Sequence, residues 1–73
     1  MDKQHREWLK AQLRQREWSL ARVARQLNLS RAAVSMVLAG RRSQRVEGFI
    51  AQVLGLTVAE AWPGRYPSDK ERV

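Results

Sequence analysis

Cysteine is absent from these 73 residues, which rules out disulfide staples and thiolate metal sites. Histidine occurs once, at His5, and a single imidazole cannot assemble the cage of several ligands that a metal requires. The serines lack a His–Asp partner set, so nothing is available to activate one as a nucleophile. The four glycines (Gly40, Gly48, Gly55 and Gly64) are scattered and never form a phosphate-cradling loop. No apolar run approaches the ~20 residues of a membrane span, and no signal-peptide core opens the chain. The basic first helix has too narrow an apolar stripe to lie on a membrane. Period-two alternation is missing over any useful length, so strands are not expected. The sequence thus points away from enzymes and membranes, toward a soluble intracellular protein with neither metal nor cofactor.

Acidic residues are scarce, and their placement is informative. Fourteen Lys and Arg stand against seven Asp and Glu, a net charge of +7 on a very small body. From Ser19 through Val46 there are six arginines (Arg22, Arg25, Arg31, Arg41, Arg42, Arg45) and no Asp or Glu. Pairs such as Asp2–Arg6 and Glu7–Lys10 can support the first helix, but this window offers no such partners. Excess charge of one sign repels itself, and a polyanion relieves that repulsion. Basic residues can also serve solubility alone. Their concentration in one acid-free window favours nucleic acid.

The apolar residues recur at helical spacing in five segments. Leu9 and Leu13, beside Trp8, predict a first helix of about 14 residues. Ser19 is positioned to cap a second, marked by Leu20, Val23, Ala24 and Leu27. Asn28, which tolerates the left-handed conformation, ends it; Leu29 enters the core and Ser30 caps a third. Along that helix Ala33, Val34, Val37 and Leu38 are apolar, and Gly40 stops it. Ser43 opens a fourth, striped by Val46, Phe49, Ile50, Val53 and Leu54 and closed by Gly55. Thr57 to Glu60 is a capping-box pattern, and Pro63 stops that short fifth helix. The expected fold is an all-α, compact five-helix bundle over residues 1–66, with a flexible charged tail at 67–73. Trp8, Trp18 and Trp62 are expected to supply its core with Phe49 and the leucines.

The second and third segments read as helix, short turn, helix, the plan of a helix-turn-helix DNA reader. Ala24 is the small residue that lets two helices cross, and Asn28 makes the turn four positions later. Val23, Leu27, Leu29, Val34 and Val37 would hold the pair against the core. Arg31, Ala32, Ser35 and Met36 remain on the outer face, where phosphates flanking the major groove would repel a carboxylate. An ordinary αα-hairpin shares much of this apolar pattern; the turn residue and the charge favour DNA recognition.

The stretch "SLARVARQLNLSRAAVSMVLAGR" resembles the helix-turn-helix of the lambda-repressor-like and Cro-like superfamily. "AEAWPGRYP" resembles the Trp-Pro-Ser-Arg-Tyr ending of the Ner-like regulators of Mu-like phages and their bacterial relatives. Together the similarity spans Ser19 to Tyr66, and more weakly His5 and Arg6. It implies a five-helix bundle that binds an operator and represses early phage or prophage transcription, at the nucleoid in the bacterial cytoplasm. It also implies that Ser30, Arg31, Ala32, Ser35 and Met36 face the major groove and that Ser19 caps the helix over the backbone. Two departures stand out. Leu20 occupies a place where lambda-type proteins often carry Gln, and "RRSQR" follows Gly40 where Ner has a Trp-Pro-Lys-Gly run.

Individual side chains admit more than one duty. Arg31 suits a phosphate clamp or a bidentate guanine reader, and base contact is the expectation. Met36 suits a core gap or a thymine methyl. Ser30 caps its helix and can bring that helix terminus to a phosphate. Ser19, Arg22, Arg41, Arg42 and Arg45 are the expected phosphate contacts. The expected partner is double-stranded DNA with two operator half-sites, bound by a protein that is monomeric when free and dimeric on DNA. Two rival functions share the scaffold: a sequence-independent nucleic-acid binder, and an antitoxin-like or polymerase-contacting interaction module.

Overall fold

A computed structural model describes residues 3–64 of the chain. Five helices follow in order: α1 (Lys3–Gln15), α2 (Leu20–Gln26), α3 (Arg31–Ala39), α4 (Gln44–Leu54) and α5 (Val58–Ala61). The described residues contain no strand, so the chain is all-α as its periodicity predicts. Asp2, the boundary expected at Tyr66 and the tail expected from Pro67 lie outside the described residues.

Each helix after the first starts at a hydroxyl. The side chains of Ser19, Ser30, Ser43 and Thr57 accept hydrogen bonds from the backbone N–H groups of Arg22, Ala33, Val46 and Glu60. These bonds satisfy donors that a helix start leaves unpaired. At α5 the box is complete, because the Glu60 carboxylate also accepts the Thr57 N–H at 2.9 Å. That bond, with the Thr57 hydroxyl, holds the Glu60 carboxyl below its ordinary pKa.

The endings repeat as well. Glu17, Asn28, Gly40 and Gly55 follow α1 to α4 with positive φ values of 61°, 60°, 137° and 70°. In each, the next N–H reaches back five residues: Trp18 to Leu13, Leu29 to Ala24, Arg41 to Met36 and Leu56 to Ala51. This is the Schellman arrangement, which satisfies the last carbonyls and turns the chain sharply. Glycine adopts the required backbone freely, and Asn28 at modest cost. Glu17 is the position where side chain and conformation conflict.

The core is assembled from the faces the spacing marks. Leu9 and Leu13 from α1, Val23 and Ala24 from α2, and Val34, Val37 and Leu38 from α3 are buried. Val46, Ile50, Ala51 and Leu54 from α4 complete it with Ala61 and Trp62. Leu27 is buried at the end of α2, while Leu29 packs partly buried against the cluster.

The tryptophans divide three ways, which corrects the expectation that all serve the core. Trp62 is fully buried, Trp18 is half-buried with its ring edge to face with Phe49, and Trp8 is 42% exposed. Helical geometry explains the last. One residue before Leu9, Trp8 lies about 100° around α1 from the buried stripe. It stacks instead on His5, three positions back, with ring centroids 5.4 Å apart. The other side of His5 is tied to α5, where Nε2 donates to the Ala61 carbonyl at 2.6 Å.

Candidate nucleic-acid interface

The turn between α2 and α3 is built from the residues its geometry needs. Ala24 is buried where the helices meet, and its carbonyl accepts the Leu29 N–H at 2.8 Å. Left-handed Asn28 makes that bond possible by reversing the chain within three residues. Leu29 then inserts its side chain, and Ser30 starts α3.

The second helix of the pair carries two populations of side chain. Val34, Val37 and Leu38 face inward, with Ala33 half-buried beside them. Arg31, Ala32, Ser35 and Met36 are exposed, and Met36 keeps 49% of its surface open. A large apolar side chain left this open on a capped, well-packed helix is not filling a core gap. The six arginines of the window are all exposed, and α3 itself carries no carboxylate. The Arg41 guanidinium folds back along α3 until Nη1 lies 4.0 Å from the Met36 sulfur.

Two of the expected phosphate contacts have further attachments. Arg22 donates to the Glu17 carbonyl at 2.9 Å and lies over the Trp18 ring, 4.2 Å from its centroid. Stacked in this way, its guanidinium is pre-oriented. Arg42 lies 3.5 Å, through Nε, from an oxygen of Glu47, which is fully buried. Arg45 stands exposed on the first turn of α4, while Ser19 and Ser30 spend their hydroxyls on caps.

Trp62 is in the core as expected, and Glu47 is the residue that sequence reasoning missed. The Glu47 carboxylate accepts the Ser43 N–H at 3.2 Å, and its backbone carbonyl accepts the Trp62 indole N–H at 2.9 Å. Ser43 and Glu47 thus form a cap one residue longer than the usual box, which a search for the S-x-x-E spacing passes over. The cap fastens the loop after α3 to α4, and the Glu47 backbone separately receives the residue that ends α5.

Two clefts border α3. One, of about 320 Å³, is lined by Glu7, Lys10, Leu13 and Arg14 of α1, by Trp18, Ser19 and Leu20, and by Arg31. The other, of about 260 Å³, runs past Leu29, Ala33 and Val37 to Arg41, Arg42, Ser43 and Val46. Among the described residues, no three His, Cys, Asp or Glu side chains gather to hold a metal, and no helix is long and apolar enough to cross a membrane.

A capped helix held across its partner by a left-handed turn, with an exposed, basic, acid-free outer face, defines a helix-turn-helix DNA-binding protein. The chain belongs to the winged helix-turn-helix DNA-binding family, whose sequence profile matches residues 3–73. The described residues contain the helix-turn-helix but no strand from which a wing would be made. The chain is also similar to a protein of Escherichia phage D108 described as a negative regulator of transcription. The two are 39% identical over 62 residues, 85% of this chain and 84% of that protein. No solved structure matches the chain.

Proposed function

We propose that this protein is a Ner-like repressor of a Mu-like phage or prophage, reading its operator with α3 in the major groove. Arg31, Ala32, Ser35 and Met36 meet base edges, with Arg31 on a guanine and Met36 against a thymine methyl. Ser19, Arg22, Ser30, Arg41, Arg42 and Arg45 meet phosphates on either side and fix the register. The exposed, carboxylate-free face of α3 carries this reading. Support for repression comes from the likeness to the phage D108 regulator, and for the Ner affiliation from the Trp62-Pro63-Gly64-Arg65-Tyr66 ending.

One recognition helix covers only about four or five base pairs, too few to single out one genomic site. Two copies therefore bind each operator, at half-sites about one helical turn apart. The free protein is monomeric, at the nucleoid in the bacterial cytoplasm, because no heptad seam or dedicated pairing segment is visible. Selection of bound duplexes from a random pool tests the reading. An enriched two-half-site sequence that resists random competitor is expected, with log affinity falling against log salt at about −4 to −5 per subunit. Recovery of no sequence, or a slope near zero, overturns it; a tight dimer without DNA at low micromolar concentration removes the monomer assignment.

A further inference from the structure

We infer that the cleft between α1 and the start of α3 seats a DNA backbone phosphate, with Arg14 as its principal ligand. This assignment rests on the DNA-binding reading above and extends the footprint beyond the helix-turn-helix to the first helix.

The charge of the cleft is the first support. Lys10, Arg14 and Arg31 line it against Glu7 alone, and Glu7 is already neutralised by Lys10 at 3.2 Å. Two guanidiniums are left. Neither Arg14 nor Arg31 has a side-chain hydrogen bond or ion pair among the described residues. Arg16 donates to Gln12 at 3.2 Å, Arg22 to the Glu17 carbonyl, and Arg42 faces Glu47, whereas Arg25 and Arg45, also without such partners, do not line the cleft. With Arg31 given to a base in the reading above, Arg14 is the unpartnered guanidinium that borders the cleft, where an anion can join it in the bidentate geometry that phosphate oxygens offer.

Location is the second support. Ser19, the cap of α2, and Arg31, the first residue of α3, both border the cleft, so it adjoins the start of the proposed reading helix. A phosphate seated there belongs to the strand flanking the base that Arg31 meets. The partly buried Trp18 and Leu20 also line the cleft and give a sugar an apolar surface beside the charged rim. With an apolar surface and a cationic rim, the site suits a phosphodiester better than a bare ion.

Arg14→Gln tests the assignment, with Arg16→Gln, in the turn just after α1 and outside the cleft, as the matched loss of charge. Both side chains are exposed, so helical circular dichroism should be unchanged. Arg14→Gln should weaken operator and random duplex alike by about three- to tenfold and lower the salt slope by about one. Arg16→Gln should change affinity by less than about twofold, a screened surface effect. In wild type, titration with operator duplex should move the Trp18 indole resonance. Equal behaviour of the two variants against duplex overturns the seat while leaving DNA binding intact. If Arg14→Gln leaves duplex binding unchanged but abolishes an inorganic-phosphate shift at Trp18, the cleft holds free anions and the DNA assignment fails. Absence of any duplex binding by wild type overturns the functional reading itself.

Discussion

The starts of α3 and α4 use the same local grammar and put it to opposite ends. Both begin with a serine cap in an arginine-rich stretch, Ser30 with Arg31 and Ser43 with Arg42. At the start of α3 no carboxylate among the described residues pairs with the Arg31 guanidinium. At Ser43 the neighbouring Arg42 meets a buried Glu47 that also takes the Ser43 N–H. One start is open to a ligand. The other is closed on the protein, with the backbone carbonyl of the same Glu47 taking the Trp62 indole N–H. A sequence window rich in arginine therefore does not have one energetic meaning.

The largest expected effect falls on the closed end. Glu47→Ala strips the Ser43 N–H of its partner and leaves a void, at a cost of about 2–4 kcal/mol. That is most of the stability such a small core supplies, so thermal unfolding followed by circular dichroism should find the variant largely unfolded at 37 °C or below. Retention of the wild-type melting temperature would show that the closure contributes nothing to the fold.

At the open end the effect moves from stability to recognition. Arg31→Ala should weaken operator binding by about 1–3 kcal/mol and relax preference at one base pair, with the melting temperature unchanged. Titrations against operator and random duplex separate the outcomes, since equal loss on both makes Arg31 a phosphate contact. Arg42→Ala should show both characters at reduced size. The substitution takes the Arg42 charge from a fully buried carboxylate that keeps the Ser43 N–H, so about 1–2 kcal/mol of stability should be lost. Random and operator duplexes should weaken alike, with the salt slope lower by about one.

The smallest effect has the opposite sign and lies outside both starts. Glu17→Gly removes a side chain from the left-handed turn after α1, which should raise stability by about 0.5–1 kcal/mol. The Arg22 bond to the residue 17 carbonyl survives the change, so DNA affinity should stay level. A lower melting temperature would mean that the Glu17 side chain supplies more than its backbone costs.

What could be read from sequence follows the range of each interaction. Ser19, Ser30, Ser43 and Thr57 act within three residues, so their helices start where the spacing places them. Asn28 and Gly40 act through their own backbone preferences and stop helices as expected. The outward position of Met36 was legible because Val34, Val37 and Leu38 already account for the inner face. Glu47 was not, since the Trp62 indole that covers its backbone arrives fifteen residues later. The association of Lys10 and Arg14 with Arg31 depends on how α1 packs beside the helix pair, which no local pattern encodes. Trp8 departs from the core because exposure follows its angle around the helix, which hydrophobicity alone does not carry.

The division of α3 into inner and outer side chains has a consequence for how such a protein can diversify. Its buried residues, Val34, Val37 and Leu38, are separate from the outward Arg31, Ala32, Ser35 and Met36. Substitution on the outer set leaves the core untouched, so most such changes should lie within about 0.5 kcal/mol of neutral for folding. On the proposed reading of α3, a lineage can then exchange one operator for another through single steps, none of which passes through an unfolded intermediate.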